Sequence, residues 1–397
     1  MKKDKIKLAF VGGGGRGVNL LRKLAQMPDV EIIDVCDKYE DRSQRLVQVV
    51  EEHAGNTPFA TQDYREIIAK GGIDAAVVCT SWSMHIPITV AFMEAGIRVA
   101  FEVGGCDSLE QCWELVRAYQ KTGVECMMLE NCCYGKREMM LLNMVRQGFF
   151  GEVVHCTGGY LHYLADEILT GKEKRHYRLN NYLNRNCDNY PTHALGPIAQ
   201  LLNINHGNRF VSLCSMSSKS AGLKAYMKDH DMENKELMDK EFMQGDVITT
   251  VIKCARGETI TLTLDTTLPH FGSRNTSVVG TKGKYDENTH SIFEYGRHNA
   301  EAKWREHWGN ADEYYETYNH PLWQEYEKEG VRAGHNGMDW LILRAFVESV
   351  KNETKPPIDV FDAVAWMCIT PLSEASILRG GASVEIPDFT NGQWIED

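Results

Sequence analysis

Residues Ile6–Gln26 read IKLAFVGGGGRGVNLLRKLAQ. An apolar run, Ile6–Val11, has the length and β-branched content of a buried strand. Four glycines follow, and then a segment with helical spacing of Val18, Leu20, Leu21 and Leu24. Gly12, Gly14 and Gly17 fit G-x-G-x-x-G. In that pattern the first glycine permits a tight turn, the second lets backbone approach a pyrophosphate, and the third lets helix and strand pack closely. A helix opening at Gly15 and Arg16 presents unsatisfied N–H groups and a positive dipole end to an anion. The glycines alone match many turns by chance. Their context is stronger: VEIIDVCD (Val30–Asp37) reads as a second strand and ends on an acid about 20 residues on, where a carboxylate holds ribose hydroxyls. An acid there favours NAD over NADP because it repels a 2′-phosphate, although Arg42 is close enough in sequence to receive one.

Outward from this unit, strand and helix patterns keep alternating. DAAVVCT precedes a helix expected from about Pro87 to Ala95, RVAFEV precedes one at Leu109–Thr122, and ECMMLEN follows. Alternation of this kind implies a doubly wound parallel sheet, a Rossmann domain, with ligands beyond the carboxyl ends of its strands. Ser81, Trp82, His85, Glu102, Val103 and Asn131 occupy those ends. For His85, a plain helix-start histidine is an equally good reading.

After Tyr134 the pattern changes. An amphipathic helix, GKREMMLLNMVRQGFFGE, leads into β-rich runs, of which TTVIKC–ARGE–TITLTL is a hairpin with period-2 alternation. GMDWLILRAFVESVKN and VFDAVAWMCITPLSEASILRG read as helices. The expected organisation is a Rossmann domain over 1–133 and, over 134–397, an α+β domain with a large, open, mostly antiparallel sheet. Two stretches of the second half carry candidate chemistry. In CTGGYLHYL, Tyr160 and His162 share a strand face, as side chains two apart do. They read equally as ordinary sheet aromatics. In CDNYPTHALGP (Cys187–Pro197), Thr192 reads as the N-cap of a helix whose buried stripe is Leu195, Ile198, Leu201 and Leu202. His193 lies off that stripe, with Tyr190 three residues earlier. An imidazole beside a phenol at a helix start is suited to moving a proton near neutral pH. A first-turn histidine bonded to backbone is the alternative.

Composition bounds the function. The 397 residues exceed one ordinary core, and 43% hydrophobic with 25% charged residues is globular. A net charge of −12 argues against nucleic acid or an anionic membrane surface as a main partner. No apolar run reads as a membrane span and no leader is apparent, so a cytoplasmic location is expected. The 12 cysteines include no C-x-x-C pair, and the 14 histidines form no H-E-x-x-H motif. Reduced core thiols, and no metal, are expected.

The nucleotide half resembles the Gfo/Idh/MocA oxidoreductases. GEVVHCTGGYLH, NRNCDNYPTHALGPIAQLLNINHGNRF, GDVITT, GETITLTLDTT, GHNGMDW, ITPLSEASI and EIPDFTNGQW resemble glycoside hydrolase family 109, whose type activity is an NAD-dependent α-N-acetylgalactosaminidase. Family dehydrogenases usually carry Glu-Lys-Pro where this chain has Glu102-Val103-Gly104, and Glu-Val is similar to the glycosidase branch. The resemblance implies NAD at Gly12, Gly14, Gly15, Arg16, Gly17, Asp37, Ser81, Trp82, His85, Glu102, Val103, Asn131 and Tyr190. It implies a small carbohydrate or glycoside at Tyr160, His162, Arg178, Tyr190, Thr192 and His193, with His193, Tyr160 and Tyr190 catalytic. Cleavage would proceed by transient oxidation at sugar carbon 3, elimination, water addition and re-reduction. The alternative is a sugar 3-dehydrogenase with net oxidation. The family's Arg-Pro-Tyr is replaced here within PHFGSR, with Gly272 at the tyrosine's place. A homo-oligomer paired through the carboxyl-terminal sheet is expected by analogy.

Overall fold

The computed structural model describes residues 4–395 apart from positions 231, 233–234, 300, 302 and 333. Two compact units emerge, Met1–Gly135 with Gly330–Val364, and Lys136–Glu329 with Ala365–Asp397. The first crossing lies two residues from the expected 133/134 boundary. The return of Gly330–Val364 to the first unit was not expected, because nothing local in those residues announces their long-range partners.

In the first unit, β1 (Ile6–Val11), β2 (Val30–Cys36), β3 (Phe59–Thr61), β4 (Ala75–Val78), β5 (Arg98–Phe101) and β6 (Cys126–Met128) form one sheet in the order β3-β2-β1-β4-β5-β6. Every pairing is parallel. A parallel sheet is covered on both faces, which is why β4, AAVV, is buried at every position. The helices are α1 (Gly15–Ala25), α2 (Glu40–Ala54), α3 (Tyr64–Lys70), α4 (Trp82–Glu94) and α5 (Leu109–Thr122). α4 starts at Trp82 with Ser81 at its N-cap, five residues before the expected start, and Pro87 sits inside it. Proline is a common first-turn residue, so the sequence reading placed the boundary there. The helix Met338–Asn352 is fastened to this unit by Asp29, which accepts from Arg344 Nη1 at 2.6 Å and Lys351 Nζ at 2.7 Å.

In the second unit, β7 (Val153–Leu161), β8 (Phe210–Ser217), β9 (Val247–Cys254), β10 (Thr259–Asp265), β11 (Ser277–Gly280), β12 (Gly283–Asp286), β13 (Ser291–Glu294) and β14 (Val384–Glu385) form a sheet ordered β13-β12-β11-β7-β10-β9-β8-β14. The β10–β7 pair is parallel and the other six are antiparallel. The expected hairpin is present, with Thr259 opposite Lys253. β9 alternates buried and exposed residues along its length, the mark of a sheet covered on one face. The helices that bear on the site are α6 (Lys136–Arg146), α7 (Ala165–Leu169), α8 (Arg178–Asn184) and α9 (Thr192–Leu201). The expected single helix VFDAVAWMCITPLSEASILRG is two, Val360–Met367 and Ile369–Leu378. Taken together, Val360–Leu378 is long and apolar enough to cross a membrane, contrary to the sequence reading, but 72% of its most apolar window is buried inside the protein. The cysteines are free thiols, and all but the half-buried Cys214 are buried.

The glycine turn is the least forgiving part of the first unit. A Cβ on Gly17 would lie 2.1 Å from the Gly12 carbonyl oxygen. Gly17→Ala is therefore expected to cost roughly 1–3 kcal/mol of stability and to weaken dinucleotide binding. Thermal melts of the free chain and a dinucleotide titration measure both.

Candidate active site

At the nucleotide end, Gly12 takes φ +111°, and a Cβ there would stand 2.3 Å from the Cys79 carbonyl oxygen. Strand end and neighbouring loop thus meet backbone to backbone. On Gly14 a Cβ would meet nothing within 4 Å, so the turn is open on the side where a phosphate approaches. The first-turn N–H groups of α1, which no helix can satisfy internally, face outward there. Asp37 is buried at the end of β2; its Oδ2 accepts from Gly13 N at 2.7 Å and its Oδ1 from Tyr39 N at 2.9 Å. The cradle and its terminal acid fit a dinucleotide. The Arg42 guanidinium lies over the Tyr39 ring, 5.1 Å from its centre.

The remaining nucleotide-half candidates fall into two groups. Trp82 is 4% exposed and its indole occupies the space a Cβ on Gly104 would need, 2.1 Å from Trp82 Cδ1. The Glu-Val-Gly sequence is therefore matched to that tryptophan. His85 is buried, its Nε2 is 3.1 Å from the Thr80 carbonyl, and burial pushes its pKa down to about 4. The neutral ring ties the start of α4 to the loop before it. Ser81 Oγ pairs with Ser83 Oγ at 3.2 Å. Glu102, Arg16 and Asn131 meet through a residue that sequence reasoning missed. Glu102 Oε1 accepts from Arg16 Nε at 3.1 Å, Arg16 Nη1 donates to Asp339 Oδ2 at 2.8 Å, and Asn131 Nδ2 donates to Asp339 Oδ1 at 2.8 Å. Val103, beside Glu102, is buried.

In the second unit four aromatic rings and a guanidinium gather. Tyr160 and His162 stack with centres 4.3 Å apart and planes 9° apart. Tyr160 is 4.5 Å from Tyr190 and 5.7 Å from His193, ring centre to ring centre. Tyr190 OH lies 3.2 Å from His193 Nε2. Arg178, buried at the start of α8, faces the Tyr190 ring at 5.1 Å and donates from Nε to Glu167 Oε1 at 2.8 Å. Burial alone works against its charge, but the surrounding phenols and Glu167 outweigh it and hold the guanidinium above its usual pKa. Burial first, and then the nearby His193, Arg274 and Arg178, push the His162 imidazole down.

Local chemistry explains the assembly. Gly158 has no side chain where α9 crosses β7; a Cβ there would come within 2.9 Å of Ala194 Cβ. That contact sets Tyr190 and His193 beside Tyr160. The expected stripe of Leu195, Ile198, Leu201 and Leu202 is buried, and His193 is the half-buried position of the first turn. Thr192 does not cap the helix. Pro191 holds the cap position, and the Thr192 hydroxyl is buried with no hydrogen-bond partner among the described residues. It remains a donor for a bound hydroxyl. Gln244 clamps the segment before the helix, accepting from Cys187 N at 3.2 Å and donating to Cys187 O at 2.9 Å. Ser373 and Thr370 do the same for Asp188, at 2.8 Å each. Gly272 has only Leu161 O and His162 Cε1 near its missing Cβ, at 3.8 and 4.0 Å, so this side of His162 is open.

Asp188 is 2% exposed, and burial raises its pKa to about 7 although it accepts a bond from Tyr190 N. A carboxyl whose pKa rises on folding binds its proton more tightly in the folded state. Its contribution to stability is complete below the unfolded value near 3.9 and is lost as pH rises through about 7. The wild-type melting temperature should fall between about pH 4 and pH 7, and Asp188→Asn should flatten that fall by on the order of a few kcal/mol. A second test is Gly158→Val, which separates α9 from β7 and should abolish activity while leaving dinucleotide binding intact.

Comparison with known proteins accounts for both halves. Residues 6–130 match the oxidoreductase family with an NAD-binding Rossmann fold, and residues 134–396 match the glycosyl hydrolase 109 carboxyl-terminal domain. A glycosyl hydrolase family 109 protein of Parabacteroides distasonis is 34% identical, with 98% of this chain and 88% of that protein aligned. An alpha-N-acetylgalactosaminidase of Tannerella forsythia is 33% identical over 98% and 87% of the two chains. The fold is shared with the WlbA dehydrogenase of Bordetella pertussis, solved with NADH and UDP-GlcNAcA, at a TM-score of 0.68, 15% identity and coverage of 98% and 99%. With a nicotinamide-dinucleotide cradle on one unit and a phenol–imidazole cluster on the other, the chain belongs to glycosyl hydrolase family 109 and is a glycoside hydrolase carrying an NAD-binding domain.

Proposed function

We propose that the protein is an NAD-dependent glycosidase of the α-N-acetylgalactosaminidase type, cleaving by transient oxidation at sugar carbon 3. The observation that carries this reading is the Tyr160–Tyr190–His193 cluster, with Tyr190 OH at 3.2 Å from His193 Nε2. An ordinary glycosidase flanks the scissile bond with two carboxyl groups. In this unit Glu167 is bonded to Arg178, and Glu138 is paired with Arg137 and Arg274. The rings gathered in the cluster are phenols and imidazoles, which suits chemistry in which a ketone acidifies the neighbouring C–H.

Bound in the Gly12–Gly17 cradle, the dinucleotide supplies hydride abstraction at carbon 3 and its later return. The chain's residues do the rest. His193 Nε2, relayed through Tyr190 OH, takes the carbon 3 hydroxyl proton. Tyr160 acts as its phenolate and takes the proton from carbon 2 once carbon 3 is a ketone, and the aglycone leaves carbon 1 with its bonding electron pair. A water then adds its hydroxyl at carbon 1 while its other proton neutralises the departed aglycone, Tyr160 returns a solvent-exchanged proton to carbon 2, and His193 returns the hydroxyl proton to oxygen 3. The Arg178 guanidinium stabilises negative charge developing on the phenol oxygens and binds sugar hydroxyls or an acetamido oxygen. Thr192 Oγ is a further donor. NAD is preferred to NADP because the Asp37 carboxylate closes the ribose end of the cradle.

A panel of aryl α- and β-glycosides that includes the α-N-acetylgalactosaminide tests the reading. Aglycone should appear without NADH accumulating, and product made in D2O should carry deuterium at carbon 2. Stoichiometric NADH would instead mark a net sugar dehydrogenase, and cleavage without deuterium would exclude the elimination. His193→Ala should lower turnover by about 10²–10⁴-fold with dinucleotide binding unchanged. Near wild-type turnover would remove His193 as the base.

A further inference from the structure

The helix Met338–Asn352 opens on an acid that the chemistry above does not use. The Asp339 side chain is 1% exposed and serves four partners. Its Oδ2 accepts from Arg16 Nη1 at 2.8 Å, meets His335 Nδ1 at 2.9 Å and has Lys23 Nζ at 3.7 Å, while Oδ1 accepts from Asn131 Nδ2 at 2.8 Å. Burial would raise its pKa, but the bonds from His335 and Arg16 prevail and hold the carboxyl far below the usual carboxylate range.

Three consequences bear on the dinucleotide site. Arg16, in the first turn of α1, is fixed between two carboxylates, Glu102 and Asp339, and is unavailable as a mobile cation. Asn131 has its amide N–H2 turned to Asp339, and its Oδ1, which accepts from Cys132 Sγ at 3.7 Å, keeps a second lone pair for a ligand donor such as a carboxamide or hydroxyl. The third lies in the turn before Asp339. Gly334, His335, Asn336 and Gly337 have φ of +118°, +44°, +54° and +93°, a run of four consecutive left-handed residues of which two carry side chains. The His335 ring is bonded to Asp339, and its Nδ1 is also 3.1 Å from Arg16 Nη1.

We propose that His335 and Asp339 are positioning residues that latch the dinucleotide site, holding Arg16, Glu102 and Asn131 in their binding arrangement so that the reduced dinucleotide does not escape between two hydride transfers. The reason for a latch rests on the redox-neutral reading above. An enzyme that lost NADH midway would strand an oxidised sugar. The geometry of the latch does not depend on that reading.

The test is NADH dissociation from the full-length chain, followed by fluorescence after mixing with excess NAD⁺ and with no sugar present. The His335 side chain is 58% exposed, so His335→Ala should melt as the wild type does. Its NADH off-rate should rise about tenfold or more, and turnover should become dependent on added NAD⁺. His335→Asn, whose amide N–H can replace the Nδ1 bond to Asp339, should restore most of the retention. Asp339→Asn should release NADH faster still; if that variant does not fold, His335→Ala decides alone. An off-rate within about twofold of wild type in His335→Ala overturns the latch. A faster off-rate in a protein that cleaves no glycoside would leave the latch standing and sink the glycosidase reading instead.

Discussion

The missing side chain at Gly158 is the constraint on which the substrate half depends. A helix normally packs on a sheet at a distance set by side chains from both partners. Here the sheet contributes none at the crossing point, and Ala194 contributes only a methyl. The helix start is drawn down until Tyr190 and His193 stand at the level of Tyr160 on β7. The contacts of Tyr160 with Tyr190 and His193 follow from that approach. The clamps behind it, Gln244 on Cys187 and Ser373 with Thr370 on Asp188, hold the chain entering the helix by its backbone, so the ring positions do not depend on side-chain packing alone.

How much of this was legible in the sequence follows the distance over which each feature is determined. The glycine cradle, the terminal Asp37, the alternating strands and the β9–β10 hairpin are written in windows of a few to about 20 residues, and all were read. The cluster itself was half legible. Tyr160 with His162 and Tyr190 with His193 are short-range pairs, but that the two pairs meet depends on Gly158 packing on Ala194, 36 positions away. The Asp339 centre was not legible: its partners Arg16 and Asn131 lie 323 and 208 positions earlier, and an acid in the first turn of a helix is ordinary by itself. GHNGMDW was visible as a motif, without the contact that gives it a purpose. Boundaries failed where a local rule was outvoted. Pro87 is tolerated inside α4, and the Val360–Leu378 stretch is apolar because it lies in the core.

The Glu102-Val103-Gly104 sequence shows how the two halves of the chemistry are separated. A lysine after Glu102 would add a cation and a proton carrier to the nucleotide half. In its place Val103 is buried and Gly104 is packed flat against Trp82. The nucleotide half is therefore left with a balanced, rigid charge set, in which Arg16 is shared by Glu102 and Asp339 and His85 is neutral. In the proposed reaction the proton transfers fall to the phenols and imidazoles around β7.

The two units also solve buried charge in opposite ways. Asp339 is surrounded by cationic or donor groups and stays ionised at the cost of ordering an arginine, a lysine, an asparagine and a left-handed histidine turn around it. The Asp188 carboxyl is buried and accepts from the Tyr190 backbone N–H, and it keeps its proton up to about neutral pH. A fully compensated carboxylate makes a rigid, charge-balanced frame, which suits a site that must hold one cofactor through a whole cycle. A half-compensated carboxyl two residues before Tyr190 leaves that segment responsive to pH, where the proposed chemistry depends on moving protons. The rigidity and the responsiveness are each located where the proposed reaction needs them.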